Sequence, residues 1–111
     1  MTPGVTISTH VLDASAGIPA RGVAVTLEQR DRDGEWAAAA RGATDSDGRL
    51  RFAAEVGAGE WRLTFGTGEY FAARSVESFY PEVTVTFRVL AGHYHVPLLL
   101  SPFAYSTYRG S

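Results

Sequence analysis

Val5-Thr6-Ile7-Ser8-Thr9-His10-Val11-Leu12 alternates two kinds of side chain with a period of two. That period belongs to a β-strand with one buried face. It puts Val5, Ile7, Thr9 and Val11 on one side and Thr6, Ser8, His10 and Leu12 on the other. The same period recurs downstream. Val23 to Gln29 carries Val23, Val25 and Leu27 on one face, Glu60 to Gly66 carries Trp61, Leu63 and Phe65, and Glu82 to Leu90 carries Val83, Val85, Phe87 and Val89. Arg49 to Phe52, Tyr94 to Leu100 and Tyr105 to Arg109 are shorter strand candidates. Consecutive alanines give Glu35 to Ala43 some helical propensity, but its place after the Asp31–Gly34 turn makes it the returning strand of a hairpin. Asp13 to Pro19, Thr44 to Gly48 and Gly57 to Gly59 are further turns or loops. Tyr70 to Val76 has helical spacing behind a cap at Thr67 or Gly68. Seven or eight strands with one short helix predict an all-β sandwich of two antiparallel sheets.

Residues 1–111 are read as one domain, because this length suits one modest core and no two-domain cleft. The chain is 45% apolar and 20% charged, a globular composition. Its net charge of -2 offers no general attraction to nucleic acid or to an anionic membrane, so neither is expected as a partner. All ten basic residues are Arg, and there is no Cys. The lack of Cys excludes disulfides, thiolate metal sites and a thiol nucleophile. Val96 to Leu100, the longest apolar run, is far short of the ~20 residues that span a bilayer. Met1 to Ser8 has no basic and apolar signal regions, so a cytoplasmic location is expected.

Three histidines are the first candidates for chemistry. His10 sits in mid-strand, a costly place for a polar ring unless it has partners. His93 and His95 share one face of one strand. A His-x-His pair with a third, remote His resembles a three-His zinc set, but no fourth ligand is evident, and no metal is expected. Arg49 follows the Asp47-Gly48 turn. Projecting among the histidines, it is a fork of donors for a planar anionic ligand. Tyr94 to Leu100 is almost wholly apolar, and the tail after it is aromatic. One sheet face cannot bury both sides of such a strand, which points to a covering subunit.

Several blocks together resemble the 5-hydroxyisourate hydrolases, the transthyretin-like enzymes of purine catabolism. They are residues 8–13, Gly17-Ile18-Pro19-Ala20, Asp47-Gly48-Arg49, Phe79-Tyr80-Pro81-Glu82-Val83, residues 93–102 and Tyr105-Ser106-Thr107-Tyr108-Arg109-Gly110-Ser111. They run in order from Val5 to Ser111, and the closing Tyr108-Arg109-Gly110-Ser111 separates the hydrolases from the hormone carrier of the same fold. The resemblance implies a transthyretin-like sandwich, a homotetramer built as a dimer of dimers with sites at the dimer–dimer interface, and no cofactor. It implies hydrolysis of the N1–C6 acyl bond of 5-hydroxyisourate to 2-oxo-4-hydroxy-4-carboxy-5-ureidoimidazoline. It assigns catalysis to His10, Arg49, His95 and Ser111, and substrate binding to these four with Tyr108. His10 and His95 would position and deprotonate the water, and Arg49 would hold the ring. Ser111 would orient a His or the substrate; His93 has no assigned role. A cytoplasmic, bacterial enzyme is the matching setting. A non-catalytic carrier of an aromatic ligand is the alternative. Ala104 departs from the family, which often has Gly there; a positive φ at that position would strain it.

Overall fold

The computed structural model describes residues 5–54 and 57–110. Two sheets face each other across one core. The first is organised around β1 (Val5–Asp13). Along its first half β1 pairs with β5 (Arg49–Ala54) on one side and β8 (Gly92–His95) on the other. Along its second half it pairs with β2 (Ile18–Pro19) and β9 (Leu98–Ser101), and β10 (Ala104–Thr107) closes the edge beyond β9. The second sheet has the order β4 (Trp36–Ala43), β3 (Ala24–Arg30), β6 (Gly59–Phe65), β7 (Val83–Val89). The expected sandwich is therefore present, with Glu35 to Ala43 as a strand. Most neighbours are antiparallel, but β1 runs parallel to β8 and β9. A parallel pair needs a long crossover, and the whole second sheet supplies it.

The period of two decides which faces meet. Val5, Ile7, Thr9, Val11 and Asp13 of β1 are buried, with Thr6, Ser8, His10 and Leu12 half-buried on the opposite face. Val25 and Leu27, then Trp61, Leu63 and Phe65, oppose them from the second sheet. In β7 Val83 and Val89 are buried, while Val85 and Phe87 are only partly covered.

Three features differ from expectation. The helix α1 spans Thr67–Ala72 rather than Tyr70 to Val76. It stops early because Ser75 takes φ 58, and the N–H groups of Ser75 and Val76 close back on the carbonyls of Ala72 and Phe71. Ile18–Pro19, read as loop, forms a two-residue strand. Tyr94 to Leu100 is not one strand. Pro97 has no N–H to donate, and the chain breaks there into β8 and β9. Val96, Pro97 and Leu98 are then buried in succession by this chain itself. The carbonyls at the break accept from side chains, Val96 from Thr9 Oγ1 and Pro97 from Thr107 Oγ1, each at 2.7 Å. Ala104 is unstrained, since Ser75 is the only non-glycine residue with positive φ among the described residues.

Candidate active site

Strand register assembles the polar face of the first sheet. Across the β1–β5 pair His10 lies opposite Arg49, and Ser8 opposite Arg51. Across the parallel β1–β8 pair Thr6 lies opposite His93, and Ser8 opposite His95. Directly opposed residues project to the same side of a sheet. An open cavity of about 570 Å³ lies over this face, lined by His10, Arg49, His95, Ser8, His93, Arg51 and Asp45. That volume suits a small heterocycle.

The turn before β5 aims Arg49. Asp45 Oδ1 accepts from the N–H groups of Asp47 at 2.9 Å and Arg49 at 3.0 Å. Those bonds, that to Arg49 first, hold the Asp45 carboxyl below the usual carboxylate range. Gly48 is required here. Its φ is 76, and a Cβ would run into the Val11 carbonyl. Its own carbonyl accepts from the Val11 N–H at 2.7 Å, locking the turn onto β1.

The same turn settles the tautomer of His10. Its Nε2 lies 2.9 Å from the Asp47 carbonyl oxygen, which can only accept. Nε2 therefore carries the hydrogen, and in the neutral ring Nδ1 holds the lone pair. His95 Nδ1 lies 2.8 Å from Ser8 Oγ, and His93 Nε2 lies 3.2 Å from the same oxygen. Burial, followed by the charges of His10, His93 and Arg49, holds His95 below the usual imidazole range, against a hydrogen bond to Ser8 that draws it up. His95 is thus neutral near pH 7. Among the described residues Arg49 and Arg51 make no ion pair. Among the described lining residues, two guanidinium groups and three imidazoles against one carboxylate favour an electron-rich or anionic ligand.

His10, Arg49 and His95 therefore line one cavity. Tyr108 lines a neighbouring, mostly apolar cavity of about 250 Å³ with Val85, Phe87, Tyr94 and Arg109. His95 lines both cavities and joins them. Ser111 lies outside the described residues. The tail is held to β8 by the Gly110 N–H, which donates to the His95 carbonyl at 2.8 Å, and by Arg109, whose guanidinium lies 4.8 Å from the Tyr94 ring centroid. Sequence reasoning did not single out Ser8 or Arg51. Both were readable from alternation, Ser8 on the face of His10 and Arg51 on that of Arg49, had the pairing of the strands been known. Among the described residues no cluster of three His, Asp or Glu side chains is placed to hold a metal ion.

Topology and site together define a transthyretin-like β-sandwich with a cationic, imidazole-lined cavity on its outer face. The family model "HIUase/Transthyretin family" matches residues 7–110, and the chain belongs to that family. It is 44% identical over 110 residues to the 5-hydroxyisourate hydrolase of Salmonella dublin, covering 95% of this chain and 80% of that one. The structure of the Klebsiella pneumoniae 5-hydroxyisourate hydrolase superposes with a TM-score of 0.82 at 40% identity, covering 100% of this chain and 97% of the other. Transthyretin from Sparus aurata superposes with a TM-score of 0.89 at 34% identity, covering 94% and 95%. Backbone shape thus suits both branches of the family, and side chains must separate them.

Proposed function

We propose that this protein hydrolyses 5-hydroxyisourate, opening the ring at its N1–C6 acyl bond to give 2-oxo-4-hydroxy-4-carboxy-5-ureidoimidazoline. The observation that carries this reading is the convergence of His10, Arg49 and His95 in one cavity. The identity to relatives named as 5-hydroxyisourate hydrolases supports it. A carrier of an aromatic ligand would leave the paired imidazoles of this cavity without a task.

His95, kept neutral, takes a proton from the attacking water at Nε2. His10, tied through Nε2–H to the Asp47 carbonyl, turns Nδ1 to the same water and orients it. Attack at C6 moves negative charge onto the carbonyl oxygen, and the Arg49 guanidinium faces that charge with paired donors. As the C6–N1 bond breaks, the His95 imidazolium returns its proton to N1. Tyr108, in the neighbouring cavity, adds to the binding of the substrate, and Ser111 is given a part in orienting it by the family resemblance alone. No step is assigned to a metal or cofactor.

The cavity is open on its outer side, and among the described residues β7 and β10 are edge strands with no further strand paired beyond them. A homotetramer, two dimers facing each other across these cavities, encloses the substrate in this reading. Sedimentation at about four times the monomer mass is expected; a fully active monomer contradicts the shared site. The reaction itself is tested by mixing freshly generated 5-hydroxyisourate with the purified protein and following its ultraviolet decay. Decay faster than in buffer, lost in His10→Ala, supports the hydrolase. Decay at the buffer rate rejects it in favour of the carrier.

A further inference from the structure

We propose that Ser8 is a positioning residue, whose hydroxyl, seated between two imidazoles, sets His95 as the Nδ1–H tautomer and leaves its Nε2 lone pair open to the cavity. This gives His93 a role as well, as the acceptor that orients the hydroxyl. The proposal deepens the hydrolase reading and rests on its use of His95 as the base.

A serine hydroxyl has one proton to donate and two lone pairs to offer. Ser8 Oγ is within reach of His95 Nδ1 at 2.8 Å and of His93 Nε2 at 3.2 Å. One proton cannot satisfy two bare nitrogens, so for both contacts to be hydrogen bonds one ring must donate to Oγ. Three arrangements follow. In the first, His95 donates from Nδ1, Ser8 donates on to His93, and His95 Nε2 is a base. In the second, both rings donate to the two lone pairs of Oγ, and His95 Nε2 is again a base. In the third the chain of donors of the first is reversed, and His95 Nε2 carries a hydrogen that excludes it from abstracting a proton.

The charges around His95 exclude the third, and among the described residues Ser8 Oγ has no acceptor for its own proton other than these rings, which leaves the first. Through the main cavity it shares space with His10 on β1, Arg49 and Arg51 on β5, Asp45 before β5 and His93 on its own strand. Through the neighbouring cavity it shares space with Arg88 on β7 and with Tyr108 and Arg109 of the tail. Among the described residues that line the two cavities, four guanidinium groups against one carboxylate repel an N–H dipole aimed into either cavity and attract a lone pair. The backbone keeps the geometry fixed. Ser8 and His95 are register partners, and the Ser8 carbonyl accepts from the Val96 N–H at 2.9 Å. When His95 takes a proton at Nε2, the Nδ1–H to Oγ bond is already in place, so no group has to turn during the reaction.

The test reads the tautomer directly. Protein labelled with 15N-histidine is examined without substrate at a pH where the rings are neutral, through long-range proton–nitrogen couplings in the imidazoles. His95 is expected as Nδ1–H in the wild type and in Ser8→Thr, which keeps the hydroxyl, and as a mixture in Ser8→Ala. In kinetics with 5-hydroxyisourate, Ser8→Ala lowers kcat by about tenfold or more, with KM within about twofold, and Ser8→Thr restores kcat. His95 found as Nε2–H in the wild type overturns the proposal, whether or not any variant folds. So does a Ser8→Ala protein with unchanged tautomer and kcat. A wild type with His95 as Nδ1–H but no hydrolytic activity supports the tautomer and rejects the reaction, so the two failures are distinct.

Discussion

The backbone of Gly110 lies so close to the His95 ring that a Cβ at residue 110 would fall 2.5 Å from Cδ2. The backbone at Gly110, bridged to His95, therefore acts as a wall against one edge of the imidazole, and Ser8 holds the other edge. A residue near the chain end thus helps fix a ring in mid-sheet. Gly110→Ala is expected to push the ring out of place and to lower kcat by about 10²-fold, the scale for a displacement near 1 Å. Its Tm should stay close to wild type, because Gly110 adds no apolar surface to the core. An Ala variant with full activity would remove this role from the tail.

His10→Ala and His95→Ala should each lower kcat by about 10²–10⁴, the range of a positioned acid or base. Both side chains lie on the outward face of the first sheet, so circular dichroism and Tm should change little. Equal losses in the single and double variants would mean that the two rings act as one unit.

The pH profile carries an independent sign. His95 is held below the ordinary imidazole value of about 6.5, so the acid limb of kcat/KM should fall below that value. Stability follows the same sign. A depressed folded value means that the unfolded chain binds more protons, so the contribution of His95 is complete above the unfolded value and is lost as pH falls through the folded one. Arg49→Gln removes one of the neighbouring charges and should move the acid limb upward. A limb that stays put would show that burial and the neighbouring imidazoles, rather than Arg49, set it.

Arg49 and Lys are not equivalent at this position. Arg49→Lys keeps one positive charge but loses the planar fork of donors. It should lower kcat/KM by about tenfold to a hundredfold, comparable to one lost charge-assisted hydrogen bond. Retention of wild-type kcat/KM would reduce Arg49 to a point charge.

The period of two in Val5 to Leu12 was enough to sort Ile7 from Ser8 and Thr9 from His10, because burial of one face is a local property of the strand. What it does not contain is the partner. That His10 faces Arg49 and Ser8 faces His95 depends on pairing residues far apart in the chain, and alternation carries no record of register. The short helix shows a different limit. Its end depends on Ser75 taking a left-handed conformation that few sequences signal without Gly or Asn. The break at Pro97 was readable, since a residue without an N–H seldom continues a strand. It also accounts for much of the apolar run that suggested a covering subunit.

The buried carboxylate of Asp13 makes a separate test of stability, at the end of β1 away from the cavity. Asp13 Oδ1 accepts from the Ser15 hydroxyl at 2.6 Å and from the N–H groups of Ser15 at 3.0 Å and Ala16 at 3.1 Å. Oδ2 accepts from the Tyr70 hydroxyl of α1 at 2.9 Å, which ties the helix to the first sheet. Burial alone would push the carboxyl up, but these bonds outweigh it and hold Asp13 below the usual range. The tyrosine answers in the opposite direction, pushed up to about 12 by burial and then by its bond to Asp13. Asp13→Asn keeps the shape but turns one acceptor into a donor facing other donors, and should cost about 1–3 kcal/mol. Because the folded carboxyl value is the lower one, the stabilisation is complete above the unfolded value of about 3.9 and is lost as pH falls through the folded value. The gap in Tm between wild type and Asp13→Asn should therefore be widest near neutrality and narrow in acid. A gap that does not change between pH 7 and pH 3 would mean that packing of the side chain, rather than its charge, holds the helix to the sheet.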